Sequence, residues 1–116
     1  MDTQKEYVLN HLVTCTEQLA EETQNLPALI EVKNLEETIF SRVRGVVKNE
    51  FIMAENENGK KLYTQVIALN LAKNDVRIIE AESLYILAER KLNDAYASKE
   101  IARINYDNAK LTAELL

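Results

Sequence analysis

The chain has 116 residues, enough for one domain at most. Its 14 basic and 19 acidic residues give a formal charge of −5, which gives no support to tight, non-specific duplex binding, since that needs a basic surface. Hydrophobic residues make up 47%, too many for a disordered chain, while two Gly, one Pro and no Trp leave few helix breakers. These features predict an all-α fold, an antiparallel helical bundle or coiled coil with a long C-terminal helix. They assign the whole of 1–116 to a single helical domain. Long helices bury less than a globule of equal mass, so helices from the chain itself or from another protein are expected to complete the core.

Cys15 is the single cysteine, so no intramolecular disulfide is available and a reduced, cytoplasmic setting is expected. No apolar run approaches the roughly 20 residues that span a bilayer. The opening Met-Asp-Thr-Gln-Lys-Glu is too polar for a secretory signal. Charge is uneven: residues 1–40 set Lys5 and Lys33 against eight carboxylates, whereas 41–61 are basic.

A first helix is predicted over 3–24, where Val8, Leu12, Cys15 and Leu19 fall on one stripe. Pro27 then suggests a break, with Asn25 as N-cap of a second helix over 27–54. The stripe expected to be buried there is Val32, Leu35, Ile39, Val43, Val46 and Met53, widened by Phe40, Val47 and Ile52. Gly45 marks either a close crossing or kink, or a merely tolerated glycine.

Residues 55–63 form the one clear loop. Asn58-Gly59 supplies the positive backbone angle of a tight reversal. A short hairpin of Glu50–Met53 with Leu62–Thr64 is one reading. A helix–loop–helix turn is preferred, because the helical stripe reaches Met53. Thr64 then caps a third helix over 64–115, open to interruption at Asn74-Asp75, since both residues prefer caps to helix interiors.

Beyond that point the spacing is heptad. A first packing seam runs Ala81, Tyr85, Ala88, Leu92, Ala95, Lys99, Ala102, Tyr106, Ala109, Ala113 and Leu116. A second runs Ala97, Ile101, Ile104, Asn108, Leu111 and Leu115. Spacings that alternate four and three over five heptads are the signature of a left-handed supercoil, and two seams imply that the helix buries two sides. Alanine lets axes approach while Tyr and Leu fill the gaps. Lys99 and Asn108 either fix register or reach solvent at a seam edge, the second being preferred.

His11 and Cys15 share a helix face, but two ligands fall short of the three or four that zinc needs. The lone His has no nucleophile elbow beside it, and no glycine-rich loop is present to cradle phosphate. No catalytic residue, metal or cofactor is therefore assigned, and the chain is read as a non-enzyme. The strongest binding candidate is a basic tip of Arg42, Arg44, Lys48, Lys60 and Lys61. A solvated, lysine-rich loop is the preferred reading of it.

From Leu35 to Leu116 the chain resembles small helical coiled-coil proteins of unknown function from phages and other bacterial mobile elements. Their Asn-Gly-Lys-x-x-Tyr-Ser/Thr motif is matched by Asn58, Gly59, Lys60, Tyr63 and Thr64. Gln65 stands where Asn is usual, and Asn74-Asp75-Val76 replaces the common Asp-Pro. The resemblance implies a phage-like origin and a helix break near Asn74; it brings no activity. The leading expectation is a structural or interaction protein acting through helix packing, as a homodimer or with another protein. One alternative is a phage-type inhibitor of a host defence protein that binds nucleic acid. Another is an accessory nucleic-acid binder using the basic tip. Neither a membrane nor a small-molecule substrate is expected.

Overall fold

The computed structural model describes residues 2–116 and is all-α, with three helices. They are α1 (Asp2–Met53), α2 (Gln65–Lys73) and α3 (Val76–Glu114). The chain divides into two compact units, with α1 and α3 each contributing to both. Unit 1 comprises Met1–Ile30 and Arg90–Leu116, and unit 2 comprises Glu31–Glu89.

α1 overturns the expected break at Asn25–Pro27, since Pro27 lies inside one continuous helix. A proline there deprives the Thr23 carbonyl of its i+4 donor and crowds the preceding turn, at a cost of about 3 kcal/mol. The side chain of Pro27 is exposed, so water is at hand for the orphaned carbonyl. Leu26 beside it is buried, with Leu29 and Ile30 half-buried. That burial holds the helix through the defect, and Asn25 becomes an exposed mid-helix residue rather than a cap.

Continuity fixes which face of α1 turns inward. From Val8 to Val47 the buried or half-buried positions are Val8, Leu12, Cys15, Leu19, Glu22, Leu26, Leu29, Lys33, Glu36, Phe40, Val43 and Val47, with Ile30 beside them. The spacing alternates four and three without a slip, one heptad phase carried through Pro27. The expected second-helix stripe is therefore rotated: Val32, Leu35, Ile39, Val46 and Met53 are exposed, and only Val43 belongs to the seam. Phe40, Val47 and Ile52, read from sequence as flanking residues, are buried or half-buried, and the first two belong to the seam.

On α3 the first seam is present as expected. Ile78, Ala81, Tyr85, Ala88, Leu92, Ala95, Lys99, Ala102, Tyr106, Ala109 and Ala113 are the buried or half-buried residues of that helix. Leu116 lies beyond its end and is exposed. In unit 1 this seam meets the first thirty residues of α1; Tyr7, Val8 and His11 line one crevice with Asn108, Ala109 and Thr112. In unit 2 the core is Val47, Ala72 and Ile78, backed by Phe40, Val43 and Phe51. The Phe40 ring lies 5.9 Å from that of Tyr85.

Residues 54–64 form the expected helix–loop–helix connection. Gly59 has φ 75°, and its amide donates to the Asn56 carbonyl at 3.0 Å. The Asn56 side chain accepts from the amides of Asn58 and Lys60. A single bridge between Glu55 and Lys61 is all that remains of the hairpin alternative. Thr64 caps α2, accepting from the Ile67 amide at 3.3 Å. The interruption at Asn74-Asp75 is real. Asn74 ends α2, and the Asp75 carboxylate accepts from the Arg77 amide at 2.9 Å to start α3. Arg77 then joins Asp75 and, at 2.7 Å, Glu50 of α1. Hydrogen bonds from the Arg77 side chain, and then from its amide, hold the Asp75 carboxyl below the usual carboxylate range.

A Cβ built at Gly45 meets nothing within 4 Å, so Gly45 is a tolerated glycine and marks no close crossing. Three stability outcomes follow. Gly45→Ala raises unfolding free energy by about 0.5–1 kcal/mol in urea titrations. Pro27→Ala raises it by about 1–3 kcal/mol; a helix that restarted at Pro27 would instead lose a favourable first-turn proline and gain nothing. For Asp75, the lowered carboxyl contributes stability that is present above the ordinary carboxylate pKa, about 3.9, and is lost as pH falls through the folded value. Thermal melts of Asp75→Ala therefore lie below the unsubstituted chain at neutral pH and converge toward it as pH falls through the lowered carboxyl's titration.

Candidate functional site

His11 and Cys15 come together but form no centre. The Cys15 Sγ lies 3.7 Å from His11 Nε2, with the thiol buried in the α1 seam at 4% exposure and the imidazole exposed. Among the described residues no three His, Cys, Asp or Glu side chains gather as a metal site requires. No described helix is long and apolar enough to cross a membrane. What the surface offers is apolar helix faces and grooves between helices.

The first face is the second seam of α3, in unit 1. Of the residues singled out from sequence for helix packing, Tyr85, Ala88, Leu92, Ala95, Ala102, Tyr106 and Ala109 lie in the buried seam. Ile101, Ile104 and Leu111 do not: they are 59%, 47% and 57% exposed. Ala97, Asn108 and Leu115 on the same stripe are exposed too. At 100° per residue this stripe lies roughly 150° around the helix from the buried seam, so α3 is apolar on two nearly opposite sides. Its flanks differ in chemistry. Glu100, Asp107 and Glu114 precede seam positions Ile101, Asn108 and Leu115, whereas Ser98, Asn105 and Thr112 follow Ala97, Ile104 and Leu111. Arg103 bonds Glu100 and also Asp107, at 2.8 Å. Its hydrogen bonds hold the Glu100 carboxyl below its ordinary pKa.

The expected basic tip is dispersed within unit 2. Arg44 and Lys48, four residues apart on one face of α1, line a groove of about 510 Å³. Arg42 is two residues from Arg44, roughly 200° around the helix. It lines a different groove of about 460 Å³ with Ile39, Val46, Ala81 and Leu84. Lys61 donates through Nζ to the Ile52 carbonyl at 3.1 Å, satisfying a backbone acceptor at the end of α1. Lys60 stays in the Asn58-Gly59 turn, its amide held by Asn56. Two of the five cations therefore share a site, and a third member was not anticipated: Lys73, from the last turn of α2. Nothing local in the sequence ties Lys73 to Lys48, because only the fold of the 54–64 loop brings α2 back onto α1.

The Arg44–Lys48–Lys73 groove is mostly apolar inside. Phe40, Val66, Leu69 and Ile78 line it, with Asn70 and Glu82. The Arg44 guanidinium lies 5.0 Å from the Phe40 ring centroid, within the range at which a cation is attracted to the ring face. No known protein family, no curated protein and no solved structure matches this chain.

Proposed function

We propose that the chain is a non-enzymatic structural protein that works by helix packing and associates with a second copy of itself through the second seam of α3. One observation carries this reading. Ala97, Ile101, Ile104, Leu111 and Leu115 keep heptad spacing on an exposed side of α3 that the chain itself leaves uncovered. Large contiguous apolar patches are uncommon on monomers, and heptad spacing is the pattern that a partner helix reads.

The flanks choose the orientation. In an antiparallel pair the positions preceding the seam face their own copies, which would set Glu100, Asp107 and Glu114 against a second acidic row. In a parallel pair they face the positions that follow the seam, here Ser98, Asn105 and Thr112. Parallel pairing avoids the repulsion. Each α3 would then lie between its own α1 segment and the partner's α3, giving both of its apolar sides a neighbour.

Light scattering on a size-exclusion column is expected to give twice the chain mass, and Ile104→Asp with Leu111→Asp to give the monomer mass while circular dichroism stays helical. Orientation is read from a Cys15→Ala, Leu111→Cys chain. Parallel pairing brings the two new thiols together and yields a disulfide-linked dimer on mild oxidation. A dimer that resists this cross-link excludes the parallel arrangement, and a monomer at every concentration excludes self-association.

A further inference from the structure

We propose that the Arg44–Lys48–Lys73 groove of unit 2 is a docking site for an acidic amphipathic helix of another protein, separate from the face used for self-association. Both walls of the groove are helix faces. α1 contributes Phe40, Arg44 and Lys48 at successive spacings of four. α2 contributes Val66, Leu69, Asn70 and Lys73 at i, i+3, i+4 and i+7. Each wall is two turns long, about 11–12 Å at 1.5 Å per residue. Two helix faces of that length flanking apolar side chains are a surface on which helix-in-groove recognition can take place.

Charge selects the occupant. Arg44, Lys48 and Lys73 line the groove, with Glu82 as its one carboxylate. Among the described residues none of the three cations has an ion pair within 4.0 Å. On a chain of net charge −5, a local excess of positive charge around an apolar floor complements a helix that carries Asp or Glu beside a narrow apolar stripe. Apolar surface continues from the groove wall along α2: Val66 on the wall is 70% exposed, and Ile67 next to it is 48% exposed. That surface suits a helix better than a small ligand, which the groove alone would hold. A nucleic-acid backbone would use the three cations but leave Phe40, Val66 and Leu69 without a partner.

The test uses the full chain and four fluorescent probes in anisotropy titrations. One is a peptide of about 15 residues, long enough to hold a helix when side-chain stapled, with Leu at every third or fourth position and Glu elsewhere. The others are the same peptide with Lys for Glu, a single-stranded oligonucleotide, and an alkyl phosphate. The acidic peptide is expected to bind at least about tenfold more tightly than each of the others. Arg44→Glu with Lys73→Glu is expected to weaken it by about tenfold or more, and Val66→Asp by a similar factor. Arg42→Glu, on the far side of α1, is expected to leave it unchanged. Urea titrations of each variant establish that it is folded, and Val66 is exposed enough to be substituted even if the charge reversals are not tolerated. Equal affinity for the acidic and basic peptides overturns the proposal. So does preference for the oligonucleotide or the alkyl phosphate, or indifference to both the charge reversals and Val66→Asp. Ile104→Asp with Leu111→Asp, which breaks only the α3 pairing face, is expected to leave peptide binding intact. Joint loss would overturn the separation of the two sites.

Discussion

Five alanines, Ala81, Ala88, Ala95, Ala102 and Ala109, recur at every seventh residue of α3 and are buried or half-buried in its inward seam. Their small size is the constraint from which the rest follows. A methyl at each of these layers lets the α1 backbone come close in each unit, because interaxial distance is set by the side chains at the contact. It also means that the seam removes little apolar area per turn: roughly 0.8 kcal/mol per buried methylene-sized group, against about 1.5–3 kcal/mol for a leucine. The larger members between the alanines, Tyr85, Leu92 and Tyr106, fill the gaps, while Lys99 spends its layer on a charged head. A chain built this way places much of its Leu, Ile and Val outside the seam, on faces such as Ile101–Ile104–Leu111 and Ile39–Val46–Leu84.

The α3 face and the Arg44–Lys48–Lys73 groove differ in their borders. The α3 face in unit 1 has carboxylates along one side and neutral polar groups along the other, so in the proposed self-association one direction of pairing would be accepted and the other repelled. The groove in unit 2 is lined by Arg44, Lys48 and Lys73, which in the proposed docking would repel a second basic groove and favour an acidic helix. Apolar area alone would not distinguish the two. Specificity here resides in what repels, as it does in coiled coils whose edge charges exclude wrong partners. The dispersal of Arg42, Lys60 and Lys61 away from Arg44 matters for the same reason. Five clustered cations would draw any polyanion, whereas three around Phe40 and Val66 require an apolar contact as well.

The α3 seam was legible in the sequence because every layer keeps to one phase and its residue types are unambiguous. The α1 seam was half legible. Val8, Leu12, Cys15 and Leu19 announce it, but the next layers include Glu22, Lys33 and Glu36, which carry no hydrophobic signal. With Pro27 among them, the phase restarts on Val32 and Leu35, an apolar stripe that in fact faces out. Extending the first phase through the proline lands on Phe40, Val43 and Val47. Propensity favoured the break; burial on both sides of Pro27 favoured continuity, and burial won. Lys73 illustrates a different limit. Local pattern identifies Arg44 and Lys48 as neighbours at i and i+4, but a third cation 25 positions on joins them only through the return path of the loop.

Seven-residue repetition of alanine creates a problem that the remaining structure resolves. Sliding α1 by one heptad along such a seam replaces each alanine with another, so packing by itself scarcely distinguishes one register from the next. Two kinds of feature make the difference. Polar seam residues are one: Lys33 and Glu36 in unit 2, Glu22 and Lys99 in unit 1. One Glu36 carboxylate oxygen is buried without a hydrogen-bond partner, a loss of about 1–3 kcal/mol that an apolar residue would avoid. A slip changes which layers hold these charges, whereas the alanines are indifferent, so their cost is repaid in alignment. The corner of unit 2 is the second. Ala68 and Ala72 of α2 are fully buried, and Val47, Ala72 and Ile78 close one core. Arg77 joins Asp75 at the start of α3 to Glu50 near the end of α1. None of these contacts repeats every seven residues. The short helix and its caps therefore set the offset that the alanine seam cannot, and the same corner, by returning Lys73 to Arg44 and Lys48, builds the groove.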